Sequence, residues 1–178
     1  MTEPDLASEI RLFVTDVDGT LTDGGMYYTA RGEYMKRFNT RDGMGLSMLR
    51  DAGVEVAIMT SENSEIVLRR AEKLNITHVF VGVEDKLAQL KELCESLEVQ
   101  LNRVAYVGDD VNDLDAMRNV GLAFAVADAD LRVLDVANMR LSKSGGEGAV
   151  REAAEWILSR LAGGSLEKEQ DTNAPPPG

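Results

Sequence analysis

Asp16 and Asp18 stand one residue apart where an apolar run meets a glycine turn, in the stretch FVTDVDGTLTD at residues 13–23. Adjacent carboxylates repel each other and need a compensating cation. A second acidic group, GDDVND, places Asp109, Asp110, Asn112 and Asp113 at the end of another apolar run. Thr60 and Ser61 close a third, and Lys86 opens a helical pattern. Asp16, Asp109 and an oxygen near Asp18 form a hard, oxygen-only donor set suited to Mg²⁺. A carboxylate beside such a cation can attack phosphorus, because the cation cancels repulsion from an anionic phosphate. Asp18, two residues on, suits protonation of a leaving alkoxide and later deprotonation of water. The turn at Gly19 exposes backbone N–H groups to phosphate oxygens, Thr60 and Ser61 offer hydroxyls, and Lys86 neutralises charge on the transferring group.

These groups are useful only if the fold brings them to one edge. The runs at 10–16, 54–60, 78–82, 103–109 and 121–128 are short, Val-rich and nearly continuous, as strands buried on both faces are. Helical patterns alternate with them. Leu87, Leu90, Leu93, Cys94 and Leu97 share one face, which makes Cys94 a small core residue. The stretch SENSEIVLRRAEKL opens on Ser61 or Asn63 as N-cap, and DGMGLSMLRDAG presents Met44, Met48 and Leu49 before Gly53 stops it. The alternation predicts an α/β, Rossmann-like, doubly wound parallel sheet, whose ligands sit outside the carboxyl ends of the strands. Residues 24–40 break the pattern. Tyr27, Tyr28, Tyr34 and Phe38 around Gly32 read as a projecting β-hairpin whose aromatics suit an interface. No segment is long enough for a separate cap domain. One domain is expected over residues 1–162, and the polar, Pro-rich residues 163–178 are expected to be a disordered tail.

Composition narrows the function. The 178 residues carry a net charge of −12, which argues against nucleic-acid binding. Apolar residues make up 44% and aromatics 5%, as in an aliphatic α/β core. Cys94 is the single cysteine, so no intrachain disulfide forms. No apolar run approaches the roughly 20 residues that span a bilayer, and MTEPDLASEI lacks the apolar stretch of a signal peptide. The expectation is a soluble, cytoplasmic protein. His78, the lone histidine, is assigned no catalytic role.

DVDGT, Thr60, Lys86 and GDDVND, in that order across about residues 10–128, resemble the four motifs of the haloacid dehalogenase-like (HAD) hydrolases. The aspartate two residues past the nucleophile is the phosphatase form of that signature. Within the superfamily the chain resembles the capless sugar-acid phosphatases acting on 3-deoxy-D-manno-octulosonate 8-phosphate. The segments TDGGMYY…KRFNTRDGMG and GGEGAVRE, at 145–152, are similar to that group's. The resemblance implies an aspartyl-phosphate on Asp16, acid/base work by Asp18, and Mg²⁺ held by Asp16, Asp109 and the Asp18 main-chain carbonyl. It also implies a homotetramer in which one hairpin reaches toward a neighbour's site, and a place in lipopolysaccharide- or sialic-acid-type biosynthesis. Octulosonate enzymes usually continue the second strand as TGR, whereas this chain reads TSENSEIVLRRAEKL. Glu62, Arg70 and Lys73, with GVEDKL around Lys86, resemble the branch acting on 2-keto-3-deoxynononate 9-phosphate. The nine-carbon substrate is therefore expected first and the eight-carbon one second. Arg70 and Lys73 also fit a solvated ion-pair face beside the glutamates of their helix. The alternative is a non-catalytic oligomerisation module like those attached to sialic-acid-activating enzymes. Some of those have lost the first aspartate, but here Asp16, Asp18, Lys86 and Asp109 are all present.

Overall fold

Strand β1 (Leu12–Thr15) leads into a hairpin, β2 (Tyr27–Thr29) and β3 (Gly32–Met35), and then into α1 (Thr40–Asp51). β4 (Glu55–Met59), α2 (Glu65–Lys73), β5 (His78–Phe80) and α3 (Lys86–Ser96) follow as alternating units. The rest comprises β6 (Val104–Gly108), a short α4 (Leu114–Met117), β7 (Leu122–Ala125), α5 (Leu131–Val136), β8 (Met139–Arg140) and α6 (Ala149–Asp171). The computed structural model describes residues 9–171.

Six strands form one parallel sheet in the order β5-β4-β1-β6-β7-β8. The chain builds outward from β1 in one direction through β4 and β5, and from β6 in the other through β7 and β8. β1 and β6 are neighbours, with Thr15 level with Val107. The carboxyl ends of this pair mark the point where strand order reverses, which is where open α/β sheets bind ligands. Every residue of β1, β6 and β7 is buried, which explains their unbroken apolar character.

Several local expectations change. α1 turns Leu46 and Leu49 inward with Gly43 and Gly45, while Met44 is exposed. The small residues let the helix lie close, so the apolar face is rotated from the one the methionines suggested. Gly53, with φ +81°, stops the chain just beyond this helix, as expected. α2 starts after Ser64, rather than Ser61 or Asn63. Ser64 makes no capping hydrogen bond because its hydroxyl donates to Glu33 of the hairpin. β8, only two residues long, lies below the length at which periodicity registers. α6 runs through Asp171, so residues 163–171 of the expected tail are helical backbone. An established helix needs only propagation through LEKEQ, which is cheap beside nucleation. Residues 172–178 lie outside the described residues. No described helix is long and apolar enough to cross a membrane.

Candidate active site

Asp16 follows the last residue of β1, its N–H donating to Val107 O of β6 at 3.0 Å. Asp109 follows β6, so two carboxylates 93 positions apart in sequence meet across one strand pair. Thr20 Oγ1 donates to Asp109 Oδ1 at 3.1 Å and fixes that carboxylate over the turn. Gly19 has φ +92°, and a Cβ there would lie 2.0 Å from Asp109 Oδ2. Only glycine permits both the backbone angle and the approach. The N–H of Gly19 donates to Thr22 Oγ1 at 3.3 Å and that of Thr20 to Val17 O at 3.2 Å. These groups are spent within the turn rather than facing a phosphate, so what Gly19 supplies is room for Asp109.

Lys86, the first residue of α3, is buried with its Nζ 2.5 Å from Asp16 Oδ1 and 2.7 Å from Asp113 Oδ1. The fully buried Tyr106 of β6 donates its hydroxyl to the same Asp113 oxygen at 2.8 Å. Asp113 Oδ2 accepts from the N–H groups of Asp109 at 3.1 Å and Asp110 at 3.4 Å. Asp113 is therefore saturated, and its task is to hold Lys86 and the Asp109 backbone. Asp110 caps the short turn 111–113 by accepting from Val111 N–H. Tyr106 was not singled out from sequence. A phenol inside an otherwise aliphatic buried strand is the signal that would have found it, since such a hydroxyl needs a partner.

The hairpin brings a second cation. The Lys36 side chain is fully buried, with Nζ 2.5 Å from Asp18 Oδ1 and 2.7 Å from Glu33 Oε1. Glu33 in turn accepts from Ser64. On the other side, Thr60 Oγ1 lies 3.5 Å from Asp18 Oδ2 and accepts the N–H of Glu62 at 3.1 Å. Lys36 and Glu33 were also missed. The sequence hint was charge: a second carboxylate beside Asp16 calls for a second cation, and the hairpin is the nearest insertion. Arg37 joins Asp23 at 3.2 Å and Glu147 at 2.7 Å, closing the base of the hairpin over the 145–148 loop. There Gly145 sits so tightly on the Gly19 carbonyl that a Cβ would lie 1.7 Å from its oxygen. Asp42 accepts from Gly148 and Arg151 and anchors the start of α6. The GGEGAVRE stretch thus braces the turn at Gly19.

Asp16, Asp18, Thr60, Ser61, Glu62 and Asn112 line a cavity of about 170 Å³ at this edge. Asn112 donates to Ser61 Oγ at 3.1 Å. A larger groove of about 600 Å³, between Arg41 and Glu152, contains none of these groups, and the chemistry therefore belongs to the smaller cavity. Arg70 and Lys73 are not brought into it. Arg70 donates to Asn39 O at 3.3 Å and lies over the Phe38 ring and Gly43. Lys73 is exposed at the far end of α2, which runs away from the carboxyl edge.

Burial first, and then the Asp113 charge, push the Asp16 carboxyl well above its usual range against the pull of Lys86. Burial and Asp113 likewise raise Asp109 to about 7. Burial alone would lower the Lys86 ammonium, but the charges of Asp16 and Asp113 outweigh it and hold the group up. Lys36 behaves similarly, with hydrogen bonds to Asp18 and Glu33 outweighing burial. Asp16, Asp109 and Asp113 offer oxygens within 4.8 Å of one another. A buried and a half-buried carboxylate whose ionisation is costly, with oxygen-only donors, fit a hard divalent cation. Since Asp113 is spent on its four donors, Asp16 and Asp109 are the carboxylates open to it.

A haloacid dehalogenase-like hydrolase family model matches residues 40–121. The 3-deoxy-D-manno-octulosonate 8-phosphate phosphatase KdsC of Yersinia pestis is 44% identical over 152 residues, 85% of this chain and 81% of that protein. The cobalt-bound deoxy-D-mannose-octulosonate 8-phosphate phosphatase of Haemophilus influenzae superposes with a TM-score of 0.86 at 40% identity, covering 88% of this chain and 92% of that one. The Moraxella catarrhalis octulosonate 8-phosphate phosphatase, solved with magnesium, phosphate and the sugar acid, gives 0.87 at 38%, covering 94% and 96%. Mg²⁺ is the cofactor that the donor set and this neighbour support. A phosphoric monoester hydrolase by site and kinship, the chain belongs to the haloacid dehalogenase-like hydrolases, within their capless sugar-acid phosphatase group.

Proposed function

We propose that this enzyme hydrolyses 3-deoxy-D-manno-octulosonate 8-phosphate through an aspartyl-phosphate on Asp16. The observation that carries the reading is the meeting of Asp16, Asp18 and Thr60 at one small cavity, with Lys86 behind Asp16. Asp16 attacks phosphorus, the bond to the sugar oxygen breaks, and Asp18 gives that oxygen a proton. Water then attacks the phosphorus, Asp18 takes its proton, and phosphate leaves with the Asp16 carboxylate restored. Lys86 holds Asp16 in position, while Thr60 and Ser61 donate to phosphate oxygens. Asp16, Asp109 and the Asp18 main-chain carbonyl would hold Mg²⁺, which would supply positive charge to offset repulsion from the anionic phosphate.

The eight-carbon substrate is placed first here because relatives at 42–44% identity carry that name. It also gains because Arg70 and Lys73, which favoured the nine-carbon acid, lie away from the cavity. Glu62 on the cavity wall keeps 2-keto-3-deoxynononate 9-phosphate as the second reading. Phosphate release from both compounds, compared as kcat/KM, tests the order. A higher value for the nine-carbon compound reverses it. The same reading includes a cytoplasmic homotetramer, supported by the exposed Met26, Tyr27, Tyr28 and Tyr34 of the hairpin.

A further inference from the structure

The hairpin that carries exposed aromatics also sends one fully buried ammonium into the site. Tyr28 and Tyr34 are 60% and 71% exposed, whereas the Lys36 side chain shows no exposure at all. Lys36 Nζ is shared between Asp18 Oδ1 at 2.5 Å and Glu33 Oε1 at 2.7 Å, and Ser64 at the start of α2 ties down Glu33. The chain of contacts runs Ser64, Glu33, Lys36, Asp18, Thr60, and so spans from α2 through the hairpin to the catalytic turn. Burying an ammonium is costly unless every contact is made, so an ion buried in a hairpin this exposed points to a task beyond surface stability.

We propose that Lys36 is a positioning residue for Asp18, through which the docked hairpin sets the direction of the catalytic carboxyl. Lys36 engages Oδ1, while Oδ2, among the described residues, accepts only the long 3.5 Å hydrogen bond of the Thr60 hydroxyl and is the oxygen that meets the leaving oxygen of the substrate. Without the ammonium, the Asp18 side chain regains rotamers that point away from the cavity. A misplacement of that kind lowers the rate of the proton-transfer step while leaving attack by Asp16 intact. The inference rests on the assignment of Asp18 as acid/base.

The test compares wild type, Lys36→Met, Asp18→Asn and the double variant, each with Mg²⁺, on the better of the two sugar-acid phosphates and on nitrophenyl phosphate. The sugar is a poor leaving group that needs the proton, and nitrophenolate is a good one that needs it less. Lys36→Met is expected to lower kcat on the sugar phosphate by on the order of 10- to 100-fold, with a much smaller loss on nitrophenyl phosphate and little change in KM. In the Asp18→Asn background it should add no further loss. Lys36→Gln, which keeps a donor of similar length, should recover part of the rate and also covers the case in which the Met variant folds poorly. Equal losses on both substrates, or an additive loss in the double variant, overturn the proposal. If Asp18→Asn is selective for poor leaving groups and Lys36→Met is not, the Lys36 inference alone falls. If Asp18→Asn shows no such selectivity, the acid assignment falls and takes the inference with it.

Discussion

Lys86 Nζ lies 2.5 Å from Asp16 Oδ1, and both side chains are almost wholly removed from solvent. Breaking a buried pair of this kind leaves the remaining group without its counter-charge. Here Asp113 and Tyr106 complete the pairing from behind. Removing one partner strands the rest. Lys86→Met should cost about 3–5 kcal/mol of stability in metal-free protein, because the buried Asp16 and Asp113 pair loses the cation that compensates it. Urea unfolding with and without Mg²⁺ checks this. The metal should return part of the loss, since it supplies positive charge at Asp16.

Tyr106→Phe removes a donor to Asp113 Oδ1 without changing the packed volume. A hydrogen bond to a buried charged group contributes about 1.5–3 kcal/mol. The variant should unfold at lower urea concentration by that amount with an unchanged m-value, and it should keep its fold by circular dichroism.

Metal binding should release protons near neutrality. Asp109 is raised to about 7, by burial first and then by the Asp113 charge, so it is largely protonated below that pH and must lose its proton to act as a ligand. Mg²⁺ affinity is therefore expected to weaken as pH falls through about 7 and to level off at higher pH. Calorimetric titration at pH 7 in buffers of different ionisation enthalpy should give buffer-dependent heats. Buffer-independent heats at pH 7 would contradict the assignment of Asp109 as a ligand.

The hairpin's Met26, Tyr27, Tyr28 and Tyr34 are all more than two-fifths exposed, a large apolar area for one small projection. Light scattering should find a homotetramer, and Tyr28→Glu with Tyr34→Glu should reduce its mass. A fully active monomer at assay concentration would remove the tetramer from the account.

The sheet and the motif edge were legible in the sequence because they depend on local signals. Buried parallel strands are continuous apolar runs, and carboxylates that no core requires stand out at their ends. The four motif positions carry their meaning in residue type alone. What could not be read were the long-range contacts. Lys36 meets Asp18 only because the hairpin folds back over the turn, and Tyr106 meets Asp113 only because the turn 111–113 curls beneath β6. Arg70 resembles a substrate ligand, and within one chain its guanidinium lies against α1, where the missing side chain at Gly43 gives it room. The inward face of α1 was misjudged for a related reason, because glycines mark close approach and carry no apolar signal.

The most direct test of the central claim is the turnover of purified Asp16→Asn, saturated with Mg²⁺, on 3-deoxy-D-manno-octulosonate 8-phosphate. An amide cannot replace the carboxylate as nucleophile, so the account predicts phosphate release at background level from a protein that remains folded. Release at a rate near that of the wild type would contradict it.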